Sequence, residues 1–297
     1  MNYIEKLKEI LTFNNKVFIL PHYGEFGWFV LRYMKQVYLV ESDEKIVCCK
    51  KGDECFFPSA NSFFYDWDSN LSNHGKKGWH TSLEDKKKLV QRILREYKDY
   101  KIIDLGTIPI ERTFNFDDYV SKIDVDFYHK LQKEVFDKVS FDLSPKLNDL
   151  KTDIVFGARY RNRSGYKNWK HWNELGVFLK DKGLSVSVVG LKEDSFFVEN
   201  ADIHAYDFDV PQSATIELIK NCKLFIGSDT GTTHLASFLG KNVVIVGYCD
   251  RHLFPIFNYN SKKNKSYFRN IMYDENSIFD DAGFNKILKL LDINYDK

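Results

Sequence analysis

A run of hydroxylated residues and glycines between Gly227 and His234, GSDTGTTH, has the residue types that bind a phosphate group. A glycine-rich turn that leads into a helix gathers several unpaired backbone N–H groups at one point, with the positive end of the helix dipole behind them. This arrangement binds anions, and side-chain hydroxyls add hydrogen-bonding capacity around it. The residues predicted to form the site are Ser228, Asp229, Thr230, Gly231, Thr232 and His234.

The flanking residues predict the strands and the helix that position this turn. Residues 224–226 and 243–246 are short apolar runs of the kind that buried parallel strands show. Between them, residues 234–239 predict a helix, and Gly240 fits its C-terminal stop. His234, near the helix start, either contacts a phosphate or caps the turn. A purely structural crossover would need glycine here, but not an aspartate, a histidine and four hydroxyl groups together.

The same stretch carries a family resemblance. The order strand, S-D-T-G-x-x-H-L-A, helix and then G-x-x-V-V-x-V-G resembles the donor-binding motif of the ADP-heptose:lipopolysaccharide heptosyltransferases, which belong to glycosyltransferase family nine. The resemblance implies an α/β fold of GT-B type, with two Rossmann-like domains that face each other across a cleft. It covers residues 150–250 well and the N-terminal half only at its first turn.

The resemblance also implies roles for a basic loop. In the family, a strand leads into a basic loop with a lysine, and a tryptophan starts the next helix; Lys167 and Trp169 match this pattern. The family's lysine contacts the donor diphosphate or the charge that develops on the leaving group, so Lys167 inherits that role. Arg159 and Arg163 either share it or belong to an ordinary solvated loop. An acid after the next strand contacts the donor ribose in the family, and Glu193 is the nearest match.

A second candidate site follows the first predicted strand, residues 17–20. Ligands of open α/β sheets bind beyond the carboxyl ends of the strands, and the turn there contains His22 and Glu25. The resembling family has a Gly-Asp pair at this position, and its aspartate is the proposed general base. Glu25 can abstract a proton from an acceptor hydroxyl with one more methylene of reach, and His22 is the competing candidate. Glu25 could also be a helix N-terminal acid that interacts with the dipole.

Two further element predictions follow from the pattern. The helix after the basic loop is predicted from an apolar stripe formed by Trp169, Trp172, Leu175 and Leu179. Residues 261–270, SKKNKSYFRN, are predicted to be a basic surface loop.

The polar, aperiodic residues 144–149 predict a linker between two domains. The N-terminal domain would then be 1–147 and take the acceptor, and the C-terminal domain would be 148–297 and bind the nucleotide-sugar.

The composition is that of a globular protein, with 43% hydrophobic residues, and 297 residues suffice for two domains. A formal net charge of +1 gives no case for binding nucleic acid or a membrane surface. Five cysteines without zinc or C-x-x-C spacing indicate reduced thiols. No apolar run approaches the length of a membrane span, and the N-terminus lacks the apolar segment of a secretory signal. We therefore expect a cytoplasmic protein without a transmembrane segment.

Two D-x-D sequences, at residues 66–68 and 207–209, have the spacing that holds a divalent metal in other glycosyltransferases. Two acids at that spacing arise often by chance, and the resembling family is metal-independent. We therefore expect no metal site.

The predicted reaction is transfer of a sugar from a nucleoside-diphosphate sugar to an acceptor hydroxyl, with no cofactor besides the donor. The acceptor would be a glycan, a lipid-linked sugar or a small molecule. Two alternatives stay open. An inactive nucleotide-sugar-binding module would explain a glutamate where the family has its aspartate, and a GT-B-fold sugar-nucleotide epimerase would use the same phosphate site with more acids and a histidine. A dehydrogenase is not favoured, because the early turn lacks G-x-G-x-x-G.

Overall fold

The computed structural model describes residues 11–22, 26–65, 83–105, 150–160, 168–228, 230–246 and 268–270. The chain divides into two compact units, an N-terminal unit, Met1–Ser144, and a C-terminal unit, Pro145–Lys297. That the N-terminal domain binds the acceptor and the C-terminal domain the nucleotide-sugar stays a prediction.

The N-terminal unit contains a four-stranded parallel sheet in its described part. The strands are β1 Val17–Ile19, β2 Lys45–Cys48, β3 Ser62–Phe64 and β4 Lys101–Ile103, in the order β3-β2-β1-β4. The helices are α1 Phe26–Trp28, α2 Met34–Leu39 and α3 Leu83–Glu96. A π-helical segment, Phe29–Tyr33, joins α1 to α2, and a 3-10 turn, Asp53–Phe56, follows β2.

The core of the N-terminal unit forms where α3 covers the sheet. Leu89 and Ile93 lie four residues apart, so both point to the same face of the helix. They pack against Phe18 of β1 and Phe64 of β3, and the rings of these two phenylalanines meet edge to face, with centroids 5.4 Å apart. Burial of this apolar stripe positions β1. The turn that contains the candidate bases, His22 and Glu25, follows the carboxyl end of this strand.

In its described residues, the C-terminal unit contains a six-stranded parallel sheet. The strands are β5 Ile154–Gly157, β6 Val186–Val188, β7 Ile203–His204, β8 Leu224–Gly227, β9 Asn242–Ile245 and β10 Phe268–Asn270, in the order β10-β9-β8-β5-β6-β7. The described helices are α4 Trp172–Asp181, α5 Pro211–Asn221 and α6 Gly231–Phe238. Its core includes Phe156 of β5, whose ring centroid lies 5.3 Å from that of Trp172.

Both sheets have the strand order of a Rossmann fold. Counted from the first strand of each unit, the C-terminal sheet reads 3-2-1-4-5-6 and the N-terminal sheet reads 3-2-1-4, the order of doubly wound dinucleotide-binding domains. In such sheets the order reverses beside the first strand, and ligands bind outside the carboxyl ends of the strands at that point. The reversal lies between β5 and β8 in one unit and between β1 and β4 in the other.

Several element predictions need correction. The helix predicted at 234–239 begins three residues earlier, so Gly231, Thr232 and Thr233 belong to it and not to the turn. Trp169 is buried, but it precedes α4, which begins at Trp172. The predicted basic loop 261–270 ends in strand β10, which pairs with β9.

A buried lysine makes the free energy of unfolding of the N-terminal unit depend on pH in the alkaline range. Lys45 is 5% exposed, and its Nζ donates to the carbonyl of Val37 at 3.1 Å and to Ser59 Oγ at 3.0 Å. Burial lowers the pKa of Lys45 from 10.5 to about 8, although the nearby charge of Glu41 opposes this. The unfolded chain therefore binds more protons than the folded one between these two pH values, and raising the pH through this window favours the fold.

We expect Lys45→Met to remove this dependence. Between pH 8 and 10, the free energy of unfolding of the parent should rise relative to Lys45→Met, by up to about 1.4 kcal/mol per pH unit. Urea denaturation at several pH values measures the difference. Lys87, exposed on α3, provides the control: Lys87→Met removes a charge without changing a buried group and should run parallel to the parent. If the free energy of unfolding of Lys45→Met has the same pH dependence as that of the parent, Lys45 is not the source of the effect.

Candidate functional site

Two paired glycines lie at the reversal of strand order in the C-terminal unit. Gly157 ends β5, Gly227 ends β8, and the two are register partners. A Cβ on Gly157 would lie 3.1 Å from Thr232 Oγ1, and a Cβ on Gly227 would lie 2.7 Å from Thr233 Oγ1. The missing side chains therefore let the first turn of α6 rest directly on the two strand ends.

The Thr230 hydroxyl bonds to other threonine hydroxyls and not to a backbone N–H at the start of α6. Thr230 is the residue before α6, and its side chain makes no capping hydrogen bond. Its Oγ1 lies 2.9 Å from that of Thr232 and 3.2 Å from that of Thr233, which donates to the Ser228 carbonyl. The Thr230 side chain therefore does not cap the helix. The first backbone N–H groups of α6 are not used by that side chain, and they suit an anion.

Ser228 and His234 are buried on either side of this turn. Ser228 has no exposed surface, and its Oγ has no hydrogen-bond partner among the described residues. A buried hydroxyl without a partner is costly, so a ligand or an adjoining group would stabilise it. His234 is 5% exposed, and its backbone N–H donates to Thr230 O at 3.2 Å. This burial leaves little ring surface for a phosphate, and a contact through the ring stays a prediction.

Arg159 places a positive charge just beyond the end of β5. The residue is 7% exposed, and its Nη1 donates to Asn168 Oδ1. A guanidinium has five N–H donors in a fixed fork, which matches the oxygens of phosphate. Because β5 pairs directly with β8, Arg159 and the first turn of α6 follow neighbouring strands at one edge of the sheet.

The segment that carries Arg159 is held by the segment after β6. Tyr160 N donates to Asp194 O, and Phe196 N donates to Ala158 O, both at 2.7 Å. Ser195 forms an antiparallel bridge with Arg159. The sequence analysis missed this pairing, because nothing in either segment alone indicates it.

Glu193 lies one strand further along the same edge. It is exposed, in the 3-10 turn Lys192–Asp194 after β6. Six predicted residues therefore follow β5 or β8 at the carboxyl edge of the sheet: Arg159, Ser228, Thr230, Gly231, Thr232 and His234. Glu193 follows β6, which pairs with β5 on the side away from β8. Four predicted residues, Glu25, Arg163, Lys167 and Asp229, lie outside the described residues, as does the D-x-D at 66–68. Their roles stay predictions.

His22 lies where the strand order reverses in the N-terminal unit. Its ring centroid is 5.9 Å from that of Phe29 and 5.2 Å from that of Tyr33. The Tyr33 hydroxyl donates to Leu20 O, just beyond β1, at 2.6 Å. Both aromatic residues belong to the π-helical segment, a kind of segment found frequently at functional sites. The sequence pattern gives no sign of this π-helical segment, so it did not reveal how His22 is packed.

Comparison with known families identifies the fold and the chemistry. The model of glycosyltransferase family 9 (heptosyltransferase) matches residues 77–272, about two thirds of the chain. The chain belongs to glycosyltransferase family 9. It is therefore a glycosyltransferase, as the resemblance predicted. A comparison with curated proteins gives no match.

Solved structures of family 9 proteins are similar in fold. The Escherichia coli ADP-heptose lipopolysaccharide heptosyltransferase II has a TM-score of 0.54 at 13% identity, covering 95% of this chain and 100% of that one. A family 9 glycosyltransferase from Veillonella parvula DSM 2008 has a TM-score of 0.51 at 14% identity, covering 93% and 90%. The E. coli heptosyltransferase WaaC with ADP has a TM-score of 0.50 at 12% identity, covering 93% and 99%. These likenesses confirm the predicted α/β class of GT-B type.

The described part of the chain contains neither a membrane-spanning helix nor a cluster of metal-ligating side chains. Within the described ranges, no helix has both the length and the apolarity needed to cross a bilayer. Among the same residues, no group of three or more His, Cys, Asp or Glu side chains is arranged to hold a metal ion.

Gly227→Ala tests the close approach of α6 to the sheet. The added Cβ would lie 2.6 Å from Phe225 Cε1 and 2.7 Å from Thr233 Oγ1, so the Phe225 ring and the first turn of the helix must adjust. We expect a loss of about 1–3 kcal/mol in the free energy of unfolding, the usual cost of overpacking, measured by urea denaturation.

Gly176→Ala in α4 is the matched control. Its Cβ would lie 3.2 Å from Val198 Cγ1 and 3.9 Å from Phe156 Cε2, both looser contacts than those at Gly227. Alanine is also the better helix former by about 0.8–1.0 kcal/mol, so the net change should stay below about 1 kcal/mol. Equal losses for the two variants would contradict the assigned role of Gly227.

Proposed function

We propose that this family 9 enzyme transfers a glycosyl group from a nucleoside-diphosphate sugar to an acceptor hydroxyl, without a metal ion. The observation that carries the proposal is the first turn of α6, seated on Gly157 and Gly227 at the reversal of strand order. Its N–H groups, its threonine hydroxyls and the Arg159 guanidinium form one positively polarised edge. This edge suits two linked phosphates better than a neutral ligand.

The leaving diphosphate gains negative charge as the glycosidic bond breaks. Preorganised hydrogen-bond donors aimed at developing charge usually supply the largest catalytic effect. In this proposal, the N–H groups at the start of α6 and Arg159 stabilise that charge. Lys167 and Arg163, from the basic loop, stabilise the same negative charge. Glu193 binds the donor ribose.

The acceptor hydroxyl must lose its proton as it attacks the sugar. Glu25 is the proposed general base, because it follows β1 at its carboxyl end between two glycines. His22, two residues beyond Leu20, is the second candidate. Imidazole side chains are the most frequent general bases in enzymes.

ADP, which is present in the WaaC structure, is a suitable probe of the donor site. By calorimetry, we expect Lys167→Ala to weaken ADP binding by about 1.5–3 kcal/mol, the range for hydrogen bonds to charged groups. The exposed Lys170, three residues later, provides the control, and Lys170→Ala should bind ADP as the parent does. Affinity should be the same in EDTA. A loss of binding in EDTA would exclude the metal-independent mechanism, and unchanged binding by Lys167→Ala would remove that residue from the site.

Glu25→Gln tests the general base. Glutamine keeps the shape and hydrogen bonding of glutamate but cannot take up the proton. Turnover should fall by about 10²–10⁴-fold, the usual contribution of a general base, while ADP affinity is unchanged. The assay is release of nucleoside diphosphate from whichever member of a nucleoside-diphosphate sugar panel the parent turns over. Unchanged turnover would transfer the role to His22, and His22→Asn would then be expected to show the loss.

A further inference from the structure

The carboxyl edge of the N-terminal sheet carries a second set of polar groups, beyond β2 and β3. These strands run parallel to β1 and lie next to it in the order β3-β2-β1, so their carboxyl ends share the edge that carries His22. The segment after β2 contains Glu54, and Tyr65 directly follows β3. Neither residue has a role in the donor chemistry described above.

The Glu54 carboxylate is held in place by two donors. Gly52 has a φ of 100°, a left-handed conformation that favours glycine, and its N–H donates to Glu54 Oε2 at 2.5 Å. Burial, and after it a hydrogen bond to the same carboxylate, raises the pKa of Tyr65 to about 12. An ionised carboxylate has about four acceptor positions, so these two donors leave capacity for hydroxyl groups of a ligand.

Ring contacts place this carboxylate beside the first turn. Phe56 belongs to the same 3-10 turn as Glu54, and its ring centroid lies 5.7 Å from that of Phe26 and 5.2 Å from that of Phe29. Phe26 immediately follows Glu25 in the chain, and Phe29 contacts the His22 ring. The Phe56 ring of the Glu54 turn and the His22 ring therefore both contact Phe29.

Tyr65 presents an aromatic surface next to Glu54. Its exposure is 44%, whereas large apolar side chains around it, such as Phe64, are buried. Phe63 stacks with Tyr65, with ring centroids 6.1 Å apart and an angle of 27° between the planes. An aromatic ring with a positioned carboxylate at its hydroxyl end combines an apolar contact with hydrogen-bond acceptors. A sugar ring, with C–H groups on its faces and hydroxyls at its rim, fits both.

The local charge argues against an anionic ligand. Residues 50–54, KKGDE, carry two lysines and two acids, so the segment has no surplus positive charge. Burial also lowers the pKa of Lys50, because its charged form is poorly solvated there. A phosphate or carboxylate placed at Tyr65 would meet the Glu54 carboxylate, and like charges repel.

We propose that Tyr65 and Glu54 form the acceptor subsite and bind an uncharged sugar, with its face on the Tyr65 ring and its hydroxyls donating to Glu54. This inference rests on the proposed function, since it names the class of acceptor for that reaction. The acceptor hydroxyl would then lie beside the turn that holds the candidate bases.

Saturation-transfer NMR with methyl β-D-glucoside and methyl β-D-galactoside tests the subsite on the full chain. The parent should bind at least one of these sugars more tightly than glucose 6-phosphate or methyl glucuronide. Tyr65→Ala should weaken that binding at least tenfold, and Glu54→Gln should weaken it at least threefold. Tyr65→Phe, which keeps the ring, should retain more affinity than Tyr65→Ala, and a circular dichroism spectrum like that of the parent checks that each variant folds.

Two control variants match the substituted residues. Tyr160→Ala removes a tyrosine of similar exposure, 45%, from the C-terminal unit, and Glu41→Gln removes an exposed carboxylate before β2, at the opposite edge of the same sheet. Both should bind the sugars as the parent does. The inference is overturned if the parent binds neither methyl glycoside, if it prefers the anionic sugars, or if Tyr65→Ala and Glu54→Gln behave like the controls.

ADP affinity separates this inference from the proposed function. All four N-terminal variants should bind ADP as the parent does, because the donor site lies on other residues. A parent that binds ADP but no methyl glycoside would refute the acceptor subsite alone. A parent that binds a methyl glycoside through Tyr65 but no nucleoside diphosphate would refute the proposed function and leave the sugar subsite standing.

Discussion

The close approach of α6 to the ends of β5 and β8 is the constraint on which the donor edge depends. Two glycines in register remove the side chains that would hold the helix away, and two threonine hydroxyls occupy the space. The positive end of the helix is thereby brought to the point where the strand order reverses, next to a buried arginine. A larger residue at either strand end would move the polar groups away from that edge, whatever their own identities.

The N-terminal unit uses the same strand order but positions its edge by different means. Here aromatic packing takes the place of paired glycines: Phe29, Tyr33 and Phe56 join the turns after β1 and β2. Ring packing fixes these turns through apolar contact and leaves the polar side chains at the edge for a ligand. The contrast agrees with the chemistry proposed for each unit, since a diphosphate needs converging backbone donors and a sugar needs an apolar face with a few acceptors.

The sequence predicted the elements whose pattern is local and missed those that depend on distant partners. The strand–turn–helix at 224–239 followed from an apolar run and glycine, but Gly231 and two threonines are poor helix formers, so the helix start was placed too late. Strand β10 has only an edge position beside β9 and no apolar run to reveal it. The pairing of residues 158–160 with 194–196 joins segments far apart in sequence, which no short-range pattern encodes.

The π-helical segment Phe29–Tyr33 makes the length of this part of the chain critical. A π turn closes its hydrogen bonds between residues five apart, where an α-helix uses four, so it accommodates an extra residue between two α-helical pieces. Loss of one residue there would restore a continuous α-helix and rotate Phe26 by about 100° relative to Met34, since a helix has 3.6 residues per turn. A single-codon deletion in this segment would therefore change the direction in which the chain enters α1, just after the candidate base Glu25.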